Sequence, residues 1–412
     1  MLRLKNYLFE EEGKNLHMEH VEDLIFNEGV EGARKAIFFL RDLRDMLAGN
    51  STKKVSATVK WDGAPAIFAG IDPEDGKFFV AKKGIFNKQA KLYKTAADVD
   101  ADTSGDLAEK LKVALKEFAK LGIKKGVYQG DIMYTQSDLK KETIDGVSYI
   151  TFHPNTIMYA VPYDSALGKK IRAAKIGVVW HTTYEGDEIK SMSASFGKSI
   201  VEKMTQVSSV WMDDANYKDY SGTATFTKAE TDKVTEVLSR AGTLFRSISA
   251  QTLNAISQDA DLMGNIKTFN NLKVRNSEKI TDTKKHVKDL YHYIYDRYQG
   301  MIDRRATPAG KQKQEEARKK ILSFFAHHDQ NQIVAIFDMM NAIVEAKQLI
   351  INKMNSAGHI STFLRTNNGF TVTSVEGYVA IDHLTGGAVK IVDRMEFSRA
   401  NFSADIVKGW QR

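Results

Sequence analysis

The chain contains no cysteine. Disulfides, zinc–thiolate centres and thiol nucleophiles are thereby excluded, and a reducing compartment is a natural setting. No apolar run is long enough to span a bilayer, so no membrane partner is expected. The stretch from Met1 to Asn15 is charged and lacks a signal-peptide core, which points to a soluble protein of the cytoplasm. There is no Ser-His-Asp set, no Walker loop and no dinucleotide fingerprint. Internal repeats and low-complexity tracts are missing as well.

What is present is a chain of 412 residues with 42% hydrophobic side chains. That is enough for two domains, or for one large domain with an insertion. The net charge of +7 is moderate, but it is local. Between Lys267 and Lys320 there are 15 Lys and Arg against 7 Asp and Glu, so the remainder is close to neutral.

Helical spacing of Val21, Leu24, Ile25, Val30, Ala33, Ile37, Leu40 and Leu43 predicts helix from about Asn15 to Leu47, broken near Asn27-Glu28-Gly29. From Lys53 to about Thr95 the pattern becomes strand and turn. A helix is expected over Leu107–Leu121, ended by Gly122, with further strands through His181. Helical periodicity then dominates from about Thr227 to Met354, and strands return after Gly358. The reading is an α+β fold with three parts: an N-terminal helical segment over 1–50, a sheet domain over 51–222 and 359–412, and a largely helical, basic insertion over 223–358.

The segment with most chemical content is Val59-Lys60-Trp61-Asp62-Gly63. It places a lysine at the lip of a strand-turn-strand unit. A lysine held in a cleft beside other cations loses its proton more readily and becomes a nucleophile. A solvated strand-end lysine before an Asp-Gly turn is the plainer alternative. Four more segments supply amines and carboxylates from strand positions: Ala81-Lys82-Lys83, Gln129-Gly130-Asp131, Glu376-Gly377-Tyr378-Val379, and the strand carrying Lys390.

In type and order these segments resemble the covalent nucleotidyltransferase superfamily of ATP-dependent ligases and capping enzymes. They are most similar to the phage RNA ligases of the second type and the RNA-editing ligases. The resemblance covers about Lys53–Tyr184 and Thr371–Phe402. It implies an antiparallel-sheet nucleotidyltransferase (ATP-grasp-like) core and, were the origin a phage, residence in the host cytoplasm. It also implies an ATP-dependent polynucleotide ligase, acting on RNA or on a nicked duplex with an RNA strand. Lys60 would form a lysyl-AMP, the AMP would pass to a 5′-phosphate, and a 3′-hydroxyl would displace it.

By the same resemblance, Lys390 holds the α-phosphate beside Lys60, and Arg394 is a second cation in that motif. Lys82 and Lys83 contact phosphate, Asp131 the ribose, and Trp180 stacks on adenine unless it is a core residue. Val59 and Gly63 line the nucleotide. Glu376 and Asp62 serve Mg²⁺, or Mn²⁺ in its place, because a hard cation with oxygen ligands screens pyrophosphate. Asp62 alternatively orients Lys60. The pattern departs from relatives in three places: Lys83 stands for a usual arginine, Asp131 for a usual glutamate, and the last motif has one lysine instead of two.

Within the insertion, Lys284, Lys285, Lys288, Arg297, Arg304 and Arg305 alternate with Tyr291, Tyr295 and Tyr298. Such interleaving suits a nucleic-acid backbone with some stacking. A solvated face with inward tyrosines is the alternative. No OB-fold is expected after Lys390, and the insertion is its natural replacement. His17 and His20, at helical spacing, lack a third metal ligand and read as surface residues. Two other functions fit the same motifs: a GTP-dependent capping-type guanylyltransferase, and a non-catalytic nucleic-acid-binding protein on a ligase-like scaffold.

Overall fold

The computed structural model describes residues 19–50, 55–87, 89–196, 199–215, 225–356, 360–367, 369–382 and 388–410. His17 lies outside them. Helix α1 (Leu24–Leu47) comes first and is kinked at Gly29, where φ is 59°. Strands β1 (Val55–Lys60), β2 (Ala66–Ile71) and β3 (Phe78–Ala81) follow, then α2 (Ala96–Asp102) and α3 (Gly105–Phe118). Next come β4 (Val127–Thr135), β5 (Lys140–Ile144), β6 (Val147–Phe152), β7 (Ile157–Pro162), α4 (Ala166–Ala173), β8 (Ile176–Glu185), β9 (Ser193–Phe196) and β10 (Val210–Asp214). Helices then run without a strand: α5 (Lys228–Ser247), α6 (Ala250–Ser257), α7 (Ala260–Arg275), α8 (Thr283–Asp303), α9 (Pro308–His327) and α10 (Gln330–Asn355). Strands β11 (Ser361–Thr366), β12 (Gly369–Val372), β13 (Gly377–Asp382) and β14 (Ala388–Ile391) and helix α11 (Arg394–Phe402) complete the chain.

Among the described residues the strands form three sheets, ordered β1-β13-β14, β10-β8-β4-β2-β3 with β9 beside β8, and β12-β11-β7-β6-β5. Pairing is antiparallel except between β10 and β8. The molecule is therefore a mixed α+β fold with mainly antiparallel sheets.

The core is shared differently from the sequence division. Helix α1 does not stand alone. Its Ile25, Phe26, Leu40 and Leu43 join Val237, Ile294, Phe337 and Ile343 of the later helices in one cluster. The smallest sheet belongs to that cluster too. Ala57, Tyr378, Ala380, Val389 and Ile391 point one way into the helices. Because strand side chains alternate, Thr58, Lys60, Val379 and Lys390 point the other way.

The β10-β8-β4-β2-β3 sheet is covered on one face by α3. Ala108, Leu111, Ala114 and Phe118 recur at helical spacing and bury against Ile67, Ile132, Val178 and Trp180. Its other face meets the β12-β11-β7-β6-β5 sheet through Met133, Tyr134, Val179 and Trp211 against Phe152, Ile157 and Tyr159. Each such large apolar side chain contributes roughly 1.5–3 kcal/mol by leaving water. Trp61, one residue after β1, fits into this second layer, with ring centroids 5.2 Å from Tyr159 and 6.5 Å from Trp211. It fastens the end of β1 to the two-sheet body.

Candidate active site around Lys60

Lys60 ends β1 opposite Gly377, and Glu376 enters β13 just beside it. The two side chains form an ion pair. Lys60 keeps 29% of its side-chain surface and Glu376 only 9%. Gly377 is required at this entry. Its φ is 147°, and a Cβ there would lie 2.5 Å from Val392 Cγ2. Lys390 shares the face of Lys60 through the Val379 register. Burial holds the Lys390 ammonium below its ordinary range, and the charge of Lys60 adds to that effect.

Asp131 comes from the neighbouring sheet. The Asp62-Gly63 turn is pressed onto β4 so closely that a Cβ at Gly63 would come within 2.5 Å of Asp131 Cβ. The Ala64 N–H donates to Ile132 O at 3.0 Å and fixes that approach. Burial pushes Asp131 up to about 7; Lys60 opposes the rise, while Glu376 and Asp62 add to it. Burial also raises Glu376, against the pull of Lys60. The site is thus two lysines and two carboxylates that resist ionisation, facing one another from two sheets.

His181 is part of this site and the sequence reading passes over it. Its Nε2 is 3.8 Å from Asp131 Oδ2, and its Nδ1 is 2.7 Å from Thr182 Oγ1. Burial and Lys60 hold it down at about 4, so the ring is neutral near pH 7. A bulge puts it there: Gln129 pairs with Thr182 and Gly130 with Trp180, leaving His181 as the extra residue. A histidine following a buried tryptophan on a strand is the available clue, and it is a weak one.

Several expected roles are corrected by position. Trp180 is fully buried on the α3 face, 5.3 Å from the Phe118 ring, and cannot stack on a nucleotide in the Asp131 cleft. Asp62 is largely engaged. Its Oδ1 accepts from Asn155 Nδ2 at 2.6 Å, and its Oδ2 from the N–H groups of Thr156 and Ile157, both at 2.7 Å. It clamps a turn, with three of its roughly four acceptor positions taken by one side chain and two backbone N–H groups. Asn155 is accordingly a turn residue, and the Tyr159 hydroxyl completes the clamp by accepting the Asp62 N–H at 2.8 Å. Arg394 is withdrawn from the site altogether. It pairs with Asp23 at 2.8 Å and Glu22 at 3.4 Å, and Glu22 also takes the buried Lys347 at 2.8 Å. His20 lies in the same buried network and is not a surface residue.

Val59 turns its side chain to the helical cluster and donates its N–H to Ala215 O at 2.6 Å. Lys82 and Lys83 follow β3, the edge strand two places from β4, roughly 10 Å across. Lys82 is paired with Asp102 at 2.9 Å, and Lys83 is exposed. Among the described residues no three His, Asp or Glu side chains are grouped to hold a metal. Mg²⁺ often uses only one or two carboxylates together with substrate phosphates. Glu376 and Asp131 fit that smaller demand; Asp62 does not.

The chain matches a family described as a family of unknown function, DUF6267, over residues 15–406. It belongs to that family. No curated protein and no solved structure matches it.

In the helical part, Lys284, Lys285 and Lys288 are exposed along α8, and Arg305 is exposed after it. Arg297 donates to Asn265 Oδ1 at 3.0 Å, and Arg304 folds back on Gly300 O at 2.9 Å. Tyr298 is buried, whereas Tyr291 and Tyr295 are exposed.

Proposed function

We propose that this protein is an ATP-dependent polynucleotide ligase, acting on RNA or RNA-containing nicks, whose first step is self-adenylylation at Lys60. The observation that carries the reading is the Lys60–Glu376 pair at the mouth of two sheets, with Lys390 on the same face and Asp131 opposite. A strand-end lysine in plain solvent would have none of that company.

In the proposed step, Lys60 Nζ attacks the α-phosphorus of ATP. A P–N bond forms, the P–O bond to pyrophosphate breaks, and the amine loses its proton. Glu376 already holds that amine, and its raised affinity for a proton makes it the fitting acceptor. Lys390 supplies positive charge to the α-phosphate. Asp131 would contact the ribose or the metal. Mg²⁺, when bound, would be held by Asp131 and the substrate phosphates and would screen the charge of the departing pyrophosphate. The tight Asp62 clamp keeps Lys60 and the turn after it in one geometry.

A second reading has its own support. With Trp180 in the core and Arg394 in a buried ion network, two expected nucleotide contacts are missing. A scaffold that binds nucleic acid without turnover fits that loss.

One experiment separates the two. The pure protein is incubated with α-labelled ATP and Mg²⁺, and then run on a denaturing gel beside Lys60→Ala and a GTP control. A labelled band that Lys60→Ala lacks, while keeping the wild-type circular dichroism spectrum, is the expected result. No label from ATP or GTP, in protein shown to be free of prior adenylylation, overturns the ligase reading. Label from GTP alone favours the capping-type alternative.

A further inference from the structure

One face of α8 carries Lys284, Lys288, Tyr291 and Tyr295 in line. At 1.5 Å per residue the stripe is roughly 16 Å long. Its aromatic rings are not tucked in. Tyr291 is 37% exposed and Tyr295 is 42% exposed. Helix α9 props both from the side. Phe325 meets Tyr291 edge-on with centroids 5.6 Å apart, and the Arg318 guanidinium lies 4.5 Å from the Tyr295 ring centroid. Arg318 is itself held by Gln299 Oε1 at 2.7 Å. These rings are therefore fixed in place at the surface.

A groove of about 550 Å³ opens beside the stripe, lined by Lys284, Lys288, Tyr291, Phe325 and Ile333. Lys285 is answered by Asp289 at 2.5 Å. Lys284 and Lys288 have no ion-pair partner among the described residues. The surrounding segment from Lys267 to Lys320 has 15 cationic residues against 7 acidic ones.

We infer that this groove binds a single-stranded nucleic-acid segment, with phosphates on Lys284 and Lys288 and a base stacked at Tyr291. Charge selects a polyanion. The propped, exposed rings select a nucleotide over an acidic peptide, because every base has a π-face to offer. A duplex keeps those faces inside its own stack, so a single strand is the better fit. The proposal is independent of the chemistry at Lys60 and survives if that reading fails.

The test is fluorescence anisotropy of the full-length protein with short labelled oligo(dT), oligo(U) and a blunt duplex of equal length, at rising salt. Both single strands should bind about tenfold more tightly than the duplex. In Lys284→Gln/Lys288→Gln the slope of log affinity against log salt should flatten by about 1.4, at ~0.7 per lost phosphate contact. Tyr291→Ala should weaken binding about tenfold with an unchanged slope. Equal affinity for duplex and single strand, equal displacement by poly-glutamate of matched charge, or variants that bind like wild type would each overturn the assignment. All the substituted positions are exposed, so loss of fold is not expected, and thermal melts check it.

Discussion

Replacing Asp131 by Asn should stabilise the protein above neutral pH and do nothing for it in acid. Burial raises this carboxyl from an ordinary 3.8 to about 7. The sign follows from linkage. Below about pH 4 the group is protonated in both folded and unfolded chains and contributes nothing. Between pH 4 and 7 the unfolded chain releases the proton while the folded one keeps it, so the folded state loses ground steadily. Above pH 7 both are ionised and the deficit is constant. At ~1.4 kcal/mol per pH unit, the rise corresponds to at most about 4 kcal/mol. The carboxyl retains 23% of its surface, so solvent screening reduces the effect. About 2 kcal/mol, or a few degrees in Tm, is the expected gain for Asn at pH 8. Thermal melts of wild type and Asp131→Asn from pH 4 to pH 8 measure it directly. The two Tm curves should coincide at pH 4, separate through pH 5–6 and run parallel above pH 7. A gain that is constant with pH, or one that shrinks as pH rises, would refute the placement of an ionisable group in a dry cleft.

Arg394→Met should cost about 3–5 kcal/mol of stability, read from urea melts, because Asp23 is left buried without its cation and Glu22 keeps only Lys347. A cost below 1 kcal/mol would mean that the guanidinium is not in that network. Trp180→Phe should lower Tm through lost packing against Phe118 while leaving the ATP concentration for half-maximal Lys60 labelling within about twofold. A tenfold rise in that concentration with an unchanged Tm would restore the tryptophan to the nucleotide.

The parts legible in the sequence are those fixed by local spacing. The helix over Leu107–Leu121 shows in its apolar recurrence, and Gly122 ends it in the left-handed region at φ 70°. The break near Gly29 and the long helical stretch before Met354 show in the same way. Lys60 at a strand end is legible because apolar and polar residues alternate up to it. What stays hidden depends on partners far along the chain. Asp62 looks like part of a local turn, yet its carboxylate is consumed by a loop 93 to 95 positions later. Arg394 looks like a spare cation for phosphate, but its acids lie more than 370 positions earlier. A single bulge decides between Trp180 and His181. The bulge breaks the period of two within β8, so alternation counted along the sequence does not tell which neighbour faces the site.

Among the described residues the strand that carries Lys60 has one sheet partner, β13, whose register starts at Gly377. Translation must therefore pass through helices α2 to α10 before the lysine can be seated. At about 10 residues per second that delay is about half a minute, during which β1 waits with an open edge. A chain cut short anywhere in the helical stretch keeps its lysine but has nothing to seat it against. The arrangement makes synthesis as far as β13 a condition for assembling the site.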